Sequence, residues 1–119
     1  MEIAFEKQIV LVTGAARGVG HALCAAFAHR GAQVHASDIL EPELEALNQS
    51  IQCDRGGSIQ MHPADITDET KVAGLVEEVQ ELNAGRSLDI VVCAAGGIVG
   101  QQAKPIDEVT HTEWLGIID

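Results

Sequence analysis

Three glycines in this sequence have the spacing of a turn that binds phosphate. The stretch VTGAARGVG contains Gly14, Gly18 and Gly20 between an apolar run and an alanine-rich one. A strand that enters a helix through such a turn presents free helix N–H groups, and glycine lets the backbone approach a ligand without an intervening Cβ. We expect Gly14 to make the turn, Gly18 the close approach and Gly20 the helix–strand contact. The alternative is an ordinary strand-to-helix turn.

Two aspartates and one arginine extend the same candidate site. Asp38 ends the second apolar run, where a carboxylate can accept both ribose hydroxyls of an adenosine and repel a 2′-phosphate; the alternative is a solvated acid that favours the next helix. Asp65 either contacts the adenine edge or caps the following helix. Arg17 either lies over the adenosine phosphates or points into solvent, and it keeps NADP open as an alternative ligand because a 2′-phosphate needs a nearby cation.

The elements that must position these residues alternate between strand and helix patterns. Short apolar runs predict buried parallel strands, and apolar residues every three or four positions predict helices. Thr67 is expected to cap the third helix, and Thr110 with Glu113 forms a capping box for the last. The predicted strands cover residues 8–13, 32–38, 56–65 and 87–96, and the predicted helices cover 19–30, 41–52, the segment after Thr67 and the segment after Thr110.

This alternation predicts an α/β fold, a Rossmann-like doubly wound parallel sheet with strand order 3-2-1-4. Residues 1–119 are expected to form a single partial dinucleotide-binding domain that stops before a fifth strand. The fourth run, residues 89–95, is apolar on both faces and would then form the edge of the sheet. We therefore expect self-association through residues 90–93.

Composition excludes several classes of partner. The formal charge of −11, from 18 acidic and 7 basic residues, would repel nucleic acid and anionic membrane surfaces. The N-terminus MEIAFEKQ is acidic where a signal peptide is basic, and no apolar run is long enough for a membrane helix. The three cysteines and five histidines lack metal-ligand spacing, so we expect no metal site. A cytoplasmic protein is expected.

These residues resemble the short-chain dehydrogenase/reductase family over nearly the whole chain. The family pattern Thr-Gly-x-x-x-Gly-x-Gly is present from Thr13 to Gly20, Asp65-Ile66 follows the third strand, and Trp114 matches a common tryptophan. The family's Asn-Asn-Ala-Gly appears as CAAG, without either asparagine. The resemblance implies NAD rather than NADP. It implies that the cofactor-binding residues are Gly14, Arg17, Gly18, Val19, Gly20, Asp38, Asp65, Ile66, Ala95 and Gly96.

The resemblance also implies an activity, hydride transfer between NAD(H) and a small alcohol or carbonyl substrate. The family's catalytic tyrosine, its lysine four residues later and its serine have no counterpart here, and the chain contains no tyrosine. We expect the 119-residue chain alone to be inactive, with no catalytic residue of its own. Two alternatives remain open: a free-standing, non-catalytic nucleotide-binding or regulatory module, and half of a methyltransferase, against which Thr13 and the long Gly14-to-Gly18 spacing argue.

Overall fold

Strands and helices alternate along the computed structural model, which describes residues 3–95 and 104–118, with side chains up to residue 115. Their bounds agree with the predicted elements to within a few residues. The elements are β1 (Ile9–Thr13), α1 (Gly18–His29), β2 (Gln33–Asp38), α2 (Glu41–Ser50), β3 (Ser58–Pro63), α3 (Glu69–Leu82), β4 (Ile90–Cys93), a 3₁₀ turn (Ile106–Glu108) and α4 (His111–Ile118).

The strands form one parallel sheet in the order β3-β2-β1-β4. Val12 of β1 is in register with Ala36 of β2 on one side and with Val92 of β4 on the other. Each crossover between neighbouring parallel strands in this order requires a helix on a face of the sheet. The predicted Rossmann-like fold and its strand order are therefore confirmed.

Both faces of β1 are buried, as its uninterrupted apolar sequence requires. One face packs with buried residues of α1 and α2, including Cys24 and Leu44. The opposite face, with Ile9 and Leu11, packs against Leu75 and Val79 of α3. This two-sided burial makes β1 the rigid centre from which the glycine turn begins.

The third helix begins one residue later than predicted, which makes the expected Thr67 cap wrong. Asp68 is the N-cap: its Oδ1 accepts hydrogen bonds from Thr70 N at 3.0 Å and Lys71 N at 3.3 Å. Thr67 instead donates to Asp65, so its hydroxyl serves the preceding loop. Both residue types cap helices well, and the tertiary course of the loop selects the aspartate.

The predicted capping box of the last helix is present. Glu113 N donates to Thr110 Oγ1, and Thr110 N donates to Glu113 Oε1, each at 3.1 Å. Lys104 Nζ lies 2.7 Å from Glu113 Oε2. This lysine contact, with the two bonds to Thr110, lowers the pKa of Glu113 to about 2.

The fourth strand borders the sheet in the described part of the chain. Its partner is β1, and Val91 is 54% exposed although it lies in register with the buried Leu11. β4 therefore has the apolar sequence of a central strand, but its Val91 face is exposed. Among the described residues, no helix has the length and apolar character needed to cross a membrane.

Candidate functional site

The carboxyl ends of all four strands border one cleft of about 430 Å³. In open α/β sheets, ligands bind at the carboxyl ends of the strands, at the point where successive strands begin to be added on the other side of the first strand. The residues that line the cleft are Gly14, Arg17, Ser37, Asp38, Ile39, Leu40, Ala64, Asp65, Ile66, Thr67, Ala94 and Ala95.

The structure thus brings together six residues singled out from the sequence. Gly14, Arg17, Asp38, Asp65, Ile66 and Ala95 all line the cleft. Gly18, Val19 and Gly20 lie beside it in the first turn of α1 rather than in its wall. Gly96 lies outside the described residues.

The glycine turn needs glycine at two positions for its backbone shape. Gly14 has φ +70° and Gly18 has φ +59°, in the left-handed region that side chains disfavour. A Cβ on Gly14 would collide with Ala95 N, whereas a Cβ on Gly18 would meet no protein atom within 4 Å. Gly14 is therefore also required by its contact with the segment after β4, and Gly18 leaves open space beside the helix N-terminus.

Gly20 is required by packing. A Cβ there would collide with the carbonyl oxygen of Gly14, so α1 can approach the turn this closely only through glycine. The side chain of Val19, by contrast, is 71% exposed. The first N–H groups of a helix have no partner within the helix, so this turn directs backbone donors outward.

Asp38 fastens the glycine turn to the end of β2. Its Oδ2 accepts a hydrogen bond from Ala16 N, and its Oδ1 accepts one from Leu40 N, both at 3.0 Å. Ala15 N also donates to the carbonyl oxygen of Ser37 at 3.1 Å. A carboxylate offers about four lone-pair sites, so Asp38 retains acceptor capacity toward the cleft.

Asp65 stabilises its own loop. Its Oδ1 accepts hydrogen bonds from Thr67 Oγ1 at 2.6 Å and Thr67 N at 3.0 Å. The Thr67 side-chain bond, followed by the backbone bond, lowers the pKa of Asp65. The alternative that Asp65 caps the third helix is wrong, because Asp68 does so. Asp65 remains an ionised acceptor at the wall of the cleft.

Arg17 is the cationic residue of the cleft wall. It is the N-cap residue of α1, its backbone is extended, and its side chain makes no capping hydrogen bond. It is exposed. The structure therefore places one guanidinium and two carboxylates around the same cleft.

Five lining residues were not assigned to this site from the sequence, and one of them, Thr67, was expected only as a helix cap. They follow the strand ends or adjoin the two aspartates, so their position relative to the predicted acids is the signal that could have identified them. They are Ile39, Leu40, Ala64, Thr67 and Ala94. Ser37 was not assigned to this site from the sequence either; it also lines the cleft, and its hydroxyl donates to the carbonyl oxygen of His62 at 2.8 Å.

Comparison with known proteins gives a consistent assignment. The family model for short chain dehydrogenase matches residues 8–119. Glucose 1-dehydrogenase of Gluconobacter oxydans is 33% identical over 114 residues, which cover 96% of this chain and 41% of that protein. The uncharacterized oxidoreductase YxjF of Bacillus subtilis is 41% identical over 102 residues, which cover 86% of this chain and 37% of that protein.

The fold is likewise similar to solved structures. A short-chain type dehydrogenase/reductase from Mycobacterium ulcerans superposes with a TM-score of 0.81 at 30% identity, covering 98% of this chain and 42% of that one. The chain thus spans about two fifths of the length of these relatives.

Proposed function

The chain belongs to the short chain dehydrogenase family, and from that premise we propose that it is the NAD-binding portion of an oxidoreductase. The whole protein would transfer hydride between NAD(H) and a small alcohol or carbonyl compound. The observation that carries this proposal is the cleft at the carboxyl ends of the strands, where the glycine turn meets Asp38 and Asp65.

The cleft fits the adenosine half of a dinucleotide. The open space beside Gly18 and the outward N–H groups of α1 suit a pyrophosphate. Asp38 is a ribose-hydroxyl acceptor held in place by Ala16 N and Leu40 N. Asp65 and Ile66 also line the cleft and suit the adenine edge and face. The proposed cofactor-binding set is Gly14, Arg17, Gly18, Val19, Gly20, Asp38, Asp65, Ile66, Ala95 and Gly96.

The balance of charges in the cleft supports NAD over NADP. A 2′-phosphate would lie next to the Asp38 carboxylate, which repels it. Arg17 is the cation that would have to compensate, yet it belongs to the glycine turn at the start of α1, where we propose that the pyrophosphate lies. We therefore assign Arg17 to the phosphates and Asp38 to the selection of NAD.

Hydride transfer at the nicotinamide is the chemistry that the bound cofactor supplies. The residues of this chain bind and orient the adenosine half, and Gly14 with Ala95 shapes the backbone between β1 and β4. The proposal assigns them no proton transfer. The family's tyrosine would move the substrate proton, and this chain contains no tyrosine.

The cysteines support a cytoplasmic location for the protein. Cys24, Cys53 and Cys93 are free thiols, which suits a reducing cytoplasm. Burial raises the pKa of the Cys24 thiol to about 12, so that thiol is unreactive. The proposed ligands are NAD(H) and, in a longer protein, the alcohol or carbonyl substrate.

Isothermal titration calorimetry of the purified chain with NAD⁺ and with NADP⁺ tests the proposal. We expect tighter binding of NAD⁺. Asp38→Ala should weaken NAD⁺ binding by about 1–3 kcal/mol, because the ribose hydroxyls lose a charged acceptor. Equal affinity for the two dinucleotides in the unmodified chain would contradict the assignment of Asp38.

Glu45→Ala is the matched control, because it removes one exposed acid from α2, away from the cleft. It should leave both affinities unchanged, which separates the ribose contact from the change in net charge. S-adenosylmethionine is titrated in parallel, and tighter binding of that ligand than of NAD⁺ would favour the methyltransferase alternative.

A further inference from the structure

Two histidines form a buried pair beneath α3. His35 of β2 and His62 of β3 are each 3% exposed, and His35 Nδ1 lies 2.8 Å from His62 Nε2. Burying two imidazole rings against one another is costly, because each loses its water and only one proton can occupy their shared hydrogen bond. The cofactor site does not use either ring directly.

The neighbours of the pair determine which ring nitrogens carry protons. Asn83 Nδ2 donates to Val79 O at 2.7 Å, which fixes the orientation of its amide, and the same nitrogen lies 3.0 Å from His35 Nε2. His35 Nε2 must then accept, so His35 Nδ1 carries the proton and donates to His62 Nε2. The remaining proton of neutral His62 lies on Nδ1, 3.4 Å from Glu78 Oε1.

This directed chain of donors requires both rings to be neutral. A proton added to His62 Nε2 would oppose the Nδ1–H of His35, and a proton added to His35 Nε2 would oppose the amide of Asn83. Glu78 is the charged group that the structure places against the pair, and its side chain is 60% exposed, so its attraction for a protonated His62 is screened by solvent. The residues in register with His35, Leu11 and Gln60, carry no charge.

The pair connects the elements that form one wall of the cleft. His35 belongs to the strand that ends at Asp38, and His62 precedes the loop of Ala64 to Thr67 that leads into α3. Glu78 and Asn83 extend the contacts to the far end of α3.

We propose that the His35–His62 pair is an acid-sensitive latch that fastens β3 and α3, and with them the Asp65 wall of the cleft, to β2. Its link to nucleotide binding rests on the proposed function.

The direction of the pH effect follows from burial. Burial, followed by repulsion from His62, lowers the pKa of His35 from its ordinary 6.5 to about 4. Burial also lowers the pKa of His62, against a raising effect of Glu78. A histidine released from the pair takes up a proton near pH 6.5, whereas His35 within the buried pair stays neutral at that pH. The contribution of the latch to stability is therefore complete above about pH 6.5. It weakens as pH falls from about 6.5 to about 4.

Amide hydrogen exchange measured by NMR at pH 7.5 and pH 5, without nucleotide, tests the latch. After correction for intrinsic exchange rates, we expect protection of β3 and α3 amides to fall by about 30-fold from His35 alone, the factor given by its pKa values in the two states. Amides of α1 should change less. A uniform fall in amide protection across all elements would show that the pair contributes only to global stability, and the proposed latch would then be wrong.

Two double variants remove the titration in different ways. His35→Leu/His62→Leu replaces the pair by apolar groups, and His35→Asn/His62→Gln keeps a neutral hydrogen bond. In whichever variant folds, the pH dependence of β3 and α3 protection should disappear. The control His111→Gln, at the exposed start of α4, should retain it. Unchanged pH dependence in a folded double variant would exclude the pair as its source.

The unmodified chain provides an independent check, in the oligomeric state in which it purifies. Long-range ¹⁵N–¹H spectra should show both His35 and His62 as Nδ1–H tautomers, and the His35 ring should not titrate between pH 8 and about 5. Titration of either ring near 6.5 would refute the neutral pair. These measurements need no ligand, so they stand whether or not NAD⁺ binds.

Discussion

Gly14 must be glycine for two reasons, its backbone conformation and its close packing. Its φ of +70° favours glycine, and a Cβ at this position would collide with Ala95 N. The turn and the segment after β4 therefore approach each other only because one residue has no side chain. This contact fixes the spacing between two edges of the candidate cofactor cleft.

Replacing Gly14 with alanine should destabilise the chain by at least about 1–2 kcal/mol, since the left-handed backbone alone costs that much for an L-residue. Urea denaturation followed by circular dichroism measures the loss. Gly74→Ala is the matched control: Gly74 lies inside α3, where a Cβ meets nothing within 4 Å. That variant should gain about 0.5–1 kcal/mol, because alanine favours helix over glycine. Equal effects of both substitutions would contradict the assigned role of Gly14.

At the scale of elements, the start of α3 depends on Asp68. Its carboxylate accepts from Thr70 N and Lys71 N, which would otherwise lack helix partners. The helix then runs to Leu82 and presents Leu75 and Val79 to β1. The cap therefore supports both the core and the loop that holds Asp65.

Asp68→Ala should lower the free energy of unfolding by about 1 kcal/mol, the usual cost of losing an N-cap. Thermal denaturation at neutral pH measures it, and Asp68→Asn should recover most of the loss because asparagine also caps. Thr67→Val reports the alternative cap predicted from the sequence. If Thr67→Val cost more helix stability than Asp68→Ala, Thr67 would be the cap in solution.

At the scale of the molecule, the strand at the edge of the sheet, within the part of the chain that the structure describes, has the sequence of a central strand. Val91 and Cys93 of β4 are exposed, and their strand carries no lysine, proline or bulge of the kind that protects edges. Burial of an apolar side chain is worth about 1.5–3 kcal/mol, so covering this edge is strongly favoured.

We therefore predict that the chain made alone dimerises or aggregates through Ile90–Cys93. Light scattering should show a mass above that of the monomer, and Val91→Lys should shift the population toward monomer by placing a charge at the edge. Leu82→Lys, at a site of nearly equal exposure, 53% against 54%, should have no such effect. A monodisperse unmodified monomer with a sharp cooperative melt would contradict the prediction and favour the free-standing module.

The chain alone should also lack steady dehydrogenase activity. It supplies the proposed cofactor-binding residues but no tyrosine to move the substrate proton. Formation of NADH with common secondary alcohols, followed by absorbance, should stay at background. Positioning of cofactor and substrate alone can leave a small residual rate, so we expect a very large loss of dehydrogenase activity relative to a complete enzyme of the family. Steady turnover that persists through repurification would show that the chain contains its own catalytic group.

The alternation of elements, the strand order and the glycine turn could all be predicted from the sequence. These depend on local periodicity, on the backbone freedom of glycine and on the handedness of crossovers, all of which act over short stretches of chain. Asp38 and Asp65 could be assigned to one cleft because the ends of parallel strands meet at one edge. The capping box at Thr110 and Glu113 was equally local and is confirmed.

The folded chain determines which polar atoms meet. It selected Asp68 over Thr67 as the cap, turned Asp65 toward Thr67, and connected Asp38 to Ala16 across 22 positions of sequence. It also brought His35 and His62 together across 27 positions, which no spacing rule indicates. A hydrogen bond depends on distances of tenths of an ångström, which the packing of strands and helices sets and residue type does not.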